Sequence, residues 1–347
     1  MMMHPDIKEL SKTELDQWIA RHGMRPFRAA QILRWLYVKH AAGFADMTDI
    51  SKTDRVLLSE NFSFSAPRIR NVEASADGSR KYLFELNDGR CIETVLIPEK
   101  DHFTLCISTQ VGCAMGCRFC MTAQSGLIRN LTQGEILGQV LGVLPDVGAE
   151  KRLTNIVLMG MGEPLANYDA VVRALSIATN ADWGLGFSNR RVTLSTSGLI
   201  PRFADLARDT RVNLAVSLNA ADDETRSFLM PINRKYPLAD LIAACAGYPL
   251  APRCKITFEY ILIRDINDSD AAARRLAKLL RPVKAKINLI PFNEHPASEF
   301  KRPEESRILE FQEILAQKQY TAVVRHSKGR DISAACGQLS AQHPSPQ

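Results

Sequence analysis

Three cysteines fall within eight residues, in the run Cys113–Ala114–Met115–Gly116–Cys117–Arg118–Phe119–Cys120. Thiolates this close can converge on one metal centre, and Gly112 and Gly116 loosen the backbone that must bring them together. Thiolate-rich sites select zinc or iron–sulfur clusters. A closed structural zinc site takes four ligands, and only three cysteines are local here. A cluster with three protein ligands leaves one iron open for chemistry. A zinc ion completed by His102 or by a distant cysteine is the alternative. The chain has eight cysteines; in a reducing cytoplasm they read as metal or redox groups before structural disulfides.

Other candidates stand at the ends of apolar runs. Gly162–Glu163–Pro164 follows Asn155–Met161. Glycine there lets a ligand approach the backbone and Glu163 supplies a carboxylate acceptor, although taken alone the run reads as an ordinary strand-to-helix turn. Ser195, Ser217 and Asn219 close further runs, and Asn293 follows another. Singly each is a turn residue, but small polar groups at several strand ends can converge on one face as a ligand site requires. Cys91, Cys245 and Cys254 match no motif and read as small buried hydrophobes.

These residues need a scaffold. The 347 residues are 46% hydrophobic and 24% charged, with net charge +6, values that exclude a disordered or fibrous chain. No stretch reaches the ~18 apolar residues of a membrane span, and Met1 to Leu10 has no signal-peptide core. The expected compartment is therefore cytoplasmic. Residues 1–65 read as a small helical module: an amphipathic start at Leu15–Ile19, a second helix from Arg25–Pro26 with Ile32, Leu33, Leu36 and Tyr37 on one face, and a third from Ser51 to Phe62. Residues 66–99 alternate like strands around the turn signal Asn87–Asp88–Gly89. From about residue 100 strands and helices alternate. The strand candidates are Thr104–Ser108, Asn155–Met161, Arg191–Ser197, Val212–Asn219, Lys255–Ile263, Lys286–Phe292 and Thr321–Arg325. Near-continuous apolar strands separated by helices predict an α/β fold with a parallel sheet buried on both faces, best matched by a partial (βα)6-type barrel over 100–340. A frayed tail is expected over 341–347.

With the cysteine run at the end of the first barrel strand, the sequence resembles the radical S-adenosylmethionine (SAM) superfamily. Its flanks resemble one family within it, the RlmN family of dual-specificity 23S rRNA and tRNA adenine carbon-2 methyltransferases. The likeness runs through Thr104–Cys113, Met121–Gly126, Arg129–Thr132, Met159–Pro164, Ser195–Gly198, Met230–Asn233, Pro291–Asn293 and Asp331–Leu339. Where many relatives have serine after the third cysteine this chain has Met121, and Asn219 stands where some have histidine. The related Cfr type, which methylates carbon 8, carries a different segment after the third cysteine, so the Thr122–Ala123–Gln124 run favours carbon 2.

The resemblance implies a radical SAM barrel with an N-terminal helical accessory domain and a β-hairpin extension. Cys113, Cys117 and Cys120 would hold a [4Fe–4S] cluster, and Gly162, Glu163, Ser195, Ser217, Leu218, Asn219 and Asn293 would contact SAM. Adenine carbon 2 is electron-poor, so polar methyl transfer cannot reach it; a 5′-deoxyadenosyl radical can serve instead, with two SAM per turnover. Cys336 would carry the methyl group as S-methylcysteine, and Cys106 would form a transient disulfide with it. Glu93 would accept the carbon-2 proton, with Cys106 thiolate as the competing base and a solvent-facing strand carboxylate as the plain reading of Glu93. The implied partners are 23S rRNA, tRNA and an electron donor such as flavodoxin, acting on a monomer away from membranes. Arg25, Arg28, Arg34, Arg68, Arg70 and the Arg325–Arg330 segment could contact phosphates, although most are expected to be solvated or paired. The rival from another class is a non-catalytic, zinc-stabilised RNA-binding protein.

Overall fold

The computed structural model describes residues 4–148, 151–295 and 298–341. Its N-terminal helices are α1 (Lys12–Arg21), α2 (Arg28–Tyr37) and α3 (Lys52–Asn61). At the start of α1 the Ser11 hydroxyl accepts from the Glu14 N–H, while the Glu14 carboxylate accepts from the Ser11 N–H. This reciprocal pair occupies two donors that a first turn otherwise leaves free. Ser51 caps α3 through the Asp54 N–H at 3.1 Å. The second helix becomes regular at Arg28; before it, Arg25 to Arg28 forms only a turn closed by the Arg28 N–H on the Arg25 carbonyl at 3.0 Å. Ile32, Leu33, Leu36 and Tyr37 are buried, as their spacing predicts.

Strands β1 (Arg68–Ala74), β2 (Arg80–Glu85) and β3 (Cys91–Pro98) form an antiparallel meander, with the Asn87–Asp88–Gly89 turn between the last two. Strand β3 then pairs antiparallel with β4 (His102–Cys106), so the hairpin residues extend the main sheet. A short ribbon of β5 (Gln110–Gly112) and β6 (Leu127–Asn130) follows, with the one-turn helix α4 (Met121–Gln124) between them. The pattern does not predict these three pieces. At three or four residues each, they are shorter than any period can reveal.

The alternation proper runs α5 (Gln133–Val143), β7 (Arg152–Leu158), α6 (Tyr168–Thr179), β8 (Val192–Thr196), α7 (Phe203–Asp209) and β9 (Asn213–Ser217). It continues with α8 (Asp223–Leu229), α9 (Leu238–Ala246), β10 (Ile256–Leu262), α10 (Asp270–Leu279), β11 (Ala285–Pro291), α11 (Glu305–Gln317) and β12 (Ala322–Val324). The sheet order is β1-β2-β3-β4-β7-β8-β9-β10-β11-β12, and every pair from β4 to β12 is parallel. Six strand–helix units closed by a seventh strand make the partial barrel that the sequence predicts. Leu105, Ile156, Leu194, Leu214, Phe258 and Leu289 are buried in the core.

After β12 the chain returns as a strap towards the far edge of the sheet. The Gly329 N–H donates to Asp77 at 2.8 Å. The Ser75 hydroxyl and Ala76 N–H donate to Asp331 at 2.5 and 3.0 Å. At its end, the Ser340 and Ala341 N–H groups donate to Glu93 on β3 at 2.8 and 3.1 Å. Beyond Ala341, the tail expected to fray lies outside the described residues. The N-terminal module docks on α5 and α6: Thr132 donates to Glu9 at 2.6 Å, and Arg173 donates to the Glu9 carbonyl at 2.8 Å and to Glu14. Ile7, Leu15 and Leu33 share one apolar core with Leu137 and Val171. Among the described residues no helix is long and apolar enough to cross a membrane.

Candidate active site

The C-terminal ends of the parallel strands surround a cavity of about 150 Å³. Its wall includes Cys113, Cys117, Cys120, Glu163, Ser217 and Cys336, so residues spread over more than 220 positions meet here. Ligands of parallel-sheet proteins bind at this end of the strands.

The three-cysteine loop enters through Gly112, whose φ is +79°. A Cβ at that position would lie 1.9 Å from the Gly126 carbonyl oxygen, so no other residue fits. The Cys113 N–H donates to the same oxygen at 2.9 Å. Burial pushes all three thiols up, Cys113 to about 12, and their mutual repulsion adds to the effect on Cys113 and Cys117. Three buried thiolates are stable together only against a strong positive charge, which is what a metal centre provides. Among the described residues no group of three or more His, Cys, Asp or Glu side chains closes around a single ion. His102 starts β4, at the opposite end of that strand from the loop, and cannot complete a zinc site there.

Glu163 is set by its neighbour. Gly162 has φ +103°, and a Cβ on it would lie 2.5 Å from the Gln110 Cβ. The Gln110 side-chain oxygen accepts from the Glu163 N–H at 2.8 Å. One Glu163 oxygen accepts from the Ser197 N–H and hydroxyl at 2.7 and 2.8 Å, the other from the Leu165 N–H at 3.0 Å. Burial raises this carboxyl above the usual range, against the pull of those donors.

The other expected contacts divide into two groups. Gly162, Ser195, Ser217 and Asn219 line the cavity. Asn219 adopts a left-handed conformation with φ +58°, which asparagine tolerates better than most residues. Its side-chain oxygen accepts from the Ile261 N–H at 2.8 Å, and its nitrogen faces the Met230 sulfur at 3.2 Å. Leu218 and Asn293 do not line the cavity. Leu218 is fully buried, its N–H donating to the Glu259 carbonyl at 2.9 Å. Asn293 donates to the Cys336 carbonyl at 3.2 Å and so holds the strap.

Cys336 opens towards the cavity, and the protein packed round its sulfur, together with Glu259, pushes its thiol up to about 11. Cys106 is buried on β4. Burial raises its thiol far above the ordinary range, and Cys336 adds to the shift, so the two sulfurs feel each other. The strap is also tied to the residues just after Cys120: the Met121 N–H donates to the Gly337 carbonyl at 2.8 Å, and the Thr122 hydroxyl to the Leu339 carbonyl at 2.6 Å.

Glu93 is buried rather than solvent-facing. One carboxylate oxygen lies 3.2 Å from the Lys81 ammonium, and the other accepts from the end of the strap. Several candidate phosphate contacts have partners within the protein. Arg28 lies 3.5 Å from Asp54, Arg34 donates to the Asp182 carbonyl at 2.8 Å, and Arg70 pairs with Glu85 at 2.7 Å. Arg226, Ser197, Gln110 and Glu259 escape the sequence reading. Ser197, Gln110 and Glu259 act across long stretches of chain, Arg226 reaches Ser197 as well as residues seven to nine positions away, and no local spacing marks any of them.

Comparison with known proteins agrees with this geometry. The Radical SAM superfamily profile matches residues 107–277, and the ribosomal RNA large subunit methyltransferase N-terminal domain profile matches 5–63. The dual-specificity RNA methyltransferase RlmN of Desulfosudis oleivorans is 59% identical over 97% of this chain and 91% of that protein. The protein of the same name from Geobacter sulfurreducens is 52% identical over 96% and 91%. The crystal structure of a radical SAM methyltransferase from Sphaerobacter thermophilus superposes with a TM-score of 0.91 at 45% identity, covering 97% of this chain and all of that one. The superfamily implies a [4Fe–4S] cluster and SAM, and three cysteines on one cavity wall beside a buried carboxylate suit that pair. The chain belongs to the RlmN family of radical SAM RNA methyltransferases.

Proposed function

We propose that the protein methylates carbon 2 of an adenine in the peptidyl transferase centre of 23S rRNA and of adenosine 37 in tRNAs, using two SAM per turnover. The observation that supports this most is the meeting of Cys336, from the C-terminal strap, with the three-cysteine loop in one cavity. Cys113, Cys117 and Cys120 hold the cluster, which when bound supplies the electron that breaks a sulfonium bond of SAM. Glu163 takes the ammonium group of SAM, and Ser195, Ser217 and Asn219 bound the rest of it.

Cys336 loses its proton and takes a methyl group from one SAM, becoming S-methylcysteine. A hydrogen atom of that methyl would pass to the 5′-deoxyadenosyl fragment of the second SAM, and the methylene carbon would then join adenine carbon 2, linking Cys336 to RNA, with one electron given back as the carbon-2 proton leaves. Cys106 would give up its proton and attack the Cys336 sulfur; the sulfur–methylene bond would break, its electron pair and a proton would complete the adenine methyl group, and an external thiol reductant would restore both cysteines. The carbon-2 proton goes to Glu93, held as an ion pair with Lys81 beneath the strap. The Cys106 thiol is the poorer base because burial keeps it protonated. The enzyme works as a cytoplasmic monomer reduced by a donor such as flavodoxin.

Peptide mass spectrometry of the protein isolated from cells, and nucleoside analysis of RNA treated with it, test this reading. S-methylated Cys336 and 2-methyladenosine are expected. Unmodified Cys336, or 8-methyladenosine as the product, overturns it.

A further inference from the structure

Arg226 on α8 is 1% exposed. Its guanidinium donates four hydrogen bonds, all to neutral acceptors: the carbonyls of Leu218 at 3.0 Å, Ser197 at 2.8 Å and Ser217 at 3.1 Å, and the Asn233 side-chain oxygen at 2.9 Å. Asn233 is itself oriented, since its amide nitrogen donates to Asp223 at 2.8 Å. Among the described residues Arg226 makes no ion pair. Burial lowers it to about 10, so it is still a cation at neutral pH. Asp223, reached through Asn233, partly offsets this charge, but a buried cation with no direct ion pair remains costly to keep. Such a cation persists where the site it faces is anionic, and the cluster loop lies against the same helix: the Arg118 N–H, next to Cys117, donates to the Leu229 carbonyl at the end of α8 at 3.0 Å.

The contacts also form a chain to the SAM site. Ser197 accepts from Arg226 through its carbonyl and donates to Glu163 through its N–H and hydroxyl. One guanidinium thus ties the ends of β8 and β9 together and fixes the residue that aims Glu163.

We propose that Arg226 is a positioning residue with two duties: it clamps the strand ends that shape the SAM pocket, and its fixed charge favours the reduced state of the cluster. Reduction adds one negative charge to a centre that three thiolates already make anionic, so a nearby buried cation raises its potential. This rests on the reading that Cys113, Cys117 and Cys120 hold the cluster.

The test uses anaerobically reconstituted full-length protein, with the midpoint potential followed by electron paramagnetic resonance and SAM affinity by equilibrium binding. Arg226→Met is expected to lower the potential. Arg226→Lys keeps the charge and should hold the potential near that of the unmodified protein, yet bind SAM on the order of tenfold more weakly through loss of the fork. Should Arg226→Met fail to fold, Arg226→Gln gives the neutral comparison. An unchanged potential in a folded, cluster-bearing neutral variant overturns the charge role. Unchanged SAM affinity in Arg226→Lys overturns the clamp. If the unmodified protein takes up no cluster, it is the cofactor reading that fails instead.

Discussion

Gly162 has no functional group, yet the position of Glu163 depends on it. Gly162→Ala would force a Cβ to within 2.5 Å of Gln110 at a φ that L-residues avoid, and SAM affinity should fall at least about tenfold. Glu163 makes a pH-dependent prediction. Because burial raises its carboxyl, it loses its charge at a higher pH than an ordinary carboxylate would. SAM binding should therefore weaken early as pH falls, and in Glu163→Gln it should be weak throughout and lose that dependence; titrating the dissociation constant against pH decides it. Cys336→Ala should abolish RNA methylation while 5′-deoxyadenosine still forms from SAM under dithionite. Normal turnover by that variant would exclude the carrier role. The three-cysteine loop was legible because thiols at such spacing are rare and their chemistry is narrow, whereas Cys336 and Cys106 took their roles only from the family resemblance. Arg226 was not: an arginine in a polar helix looks solvated until the strands it faces are known.

Among the elements, the strap is held by carboxylates at both ends. Partial burial works against the ionisation of Asp77, but N–H donors from Gly329 and Ser79 outweigh it and hold the carboxyl down to about 2. A depressed carboxyl contributes stability above its unfolded value and loses that contribution as pH falls through its folded one. The latch should therefore loosen between about pH 4 and pH 2. Solvent screening at this exposed site keeps the effect on global stability small. Asp77→Asn should reproduce it at neutral pH, as faster amide exchange over 329–341 with little change in melting temperature; unchanged exchange would show that Asp77 does not hold the strap. The barrel strands were legible because each is a run of apolar residues buried on both faces. The strap was not, since its partners lie about 250 positions away and its own residues repeat no pattern.

For the molecule as a whole, the continuity of the core decides how it unfolds. Leu33 lies in the N-terminal module but shares its apolar cluster with the barrel helices. Leu33→Ala should cost about 2–5 kcal/mol, and because the core is shared, the module and barrel should melt in a single transition. Tryptophan fluorescence in a Trp183→Phe background, which leaves Trp18 and Trp35 in the module, set against far-ultraviolet circular dichroism of the whole, checks this; separated midpoints would mean two independent units. The helical character of the module was plain from its periodicity, but its docking on α5 and α6 was not, because Glu9, Thr132 and Arg173 meet only in three dimensions. The ties from Met121 and Thr122 to Gly337 and Leu339 have a consequence for biosynthesis. The stretch that carries Cys336 takes its seat on the one-turn helix that follows the third cysteine. If the proposed cluster orders that turn, methylation of Cys336 should depend on it, and cells starved of iron should accumulate protein whose Cys336 thiol remains bare.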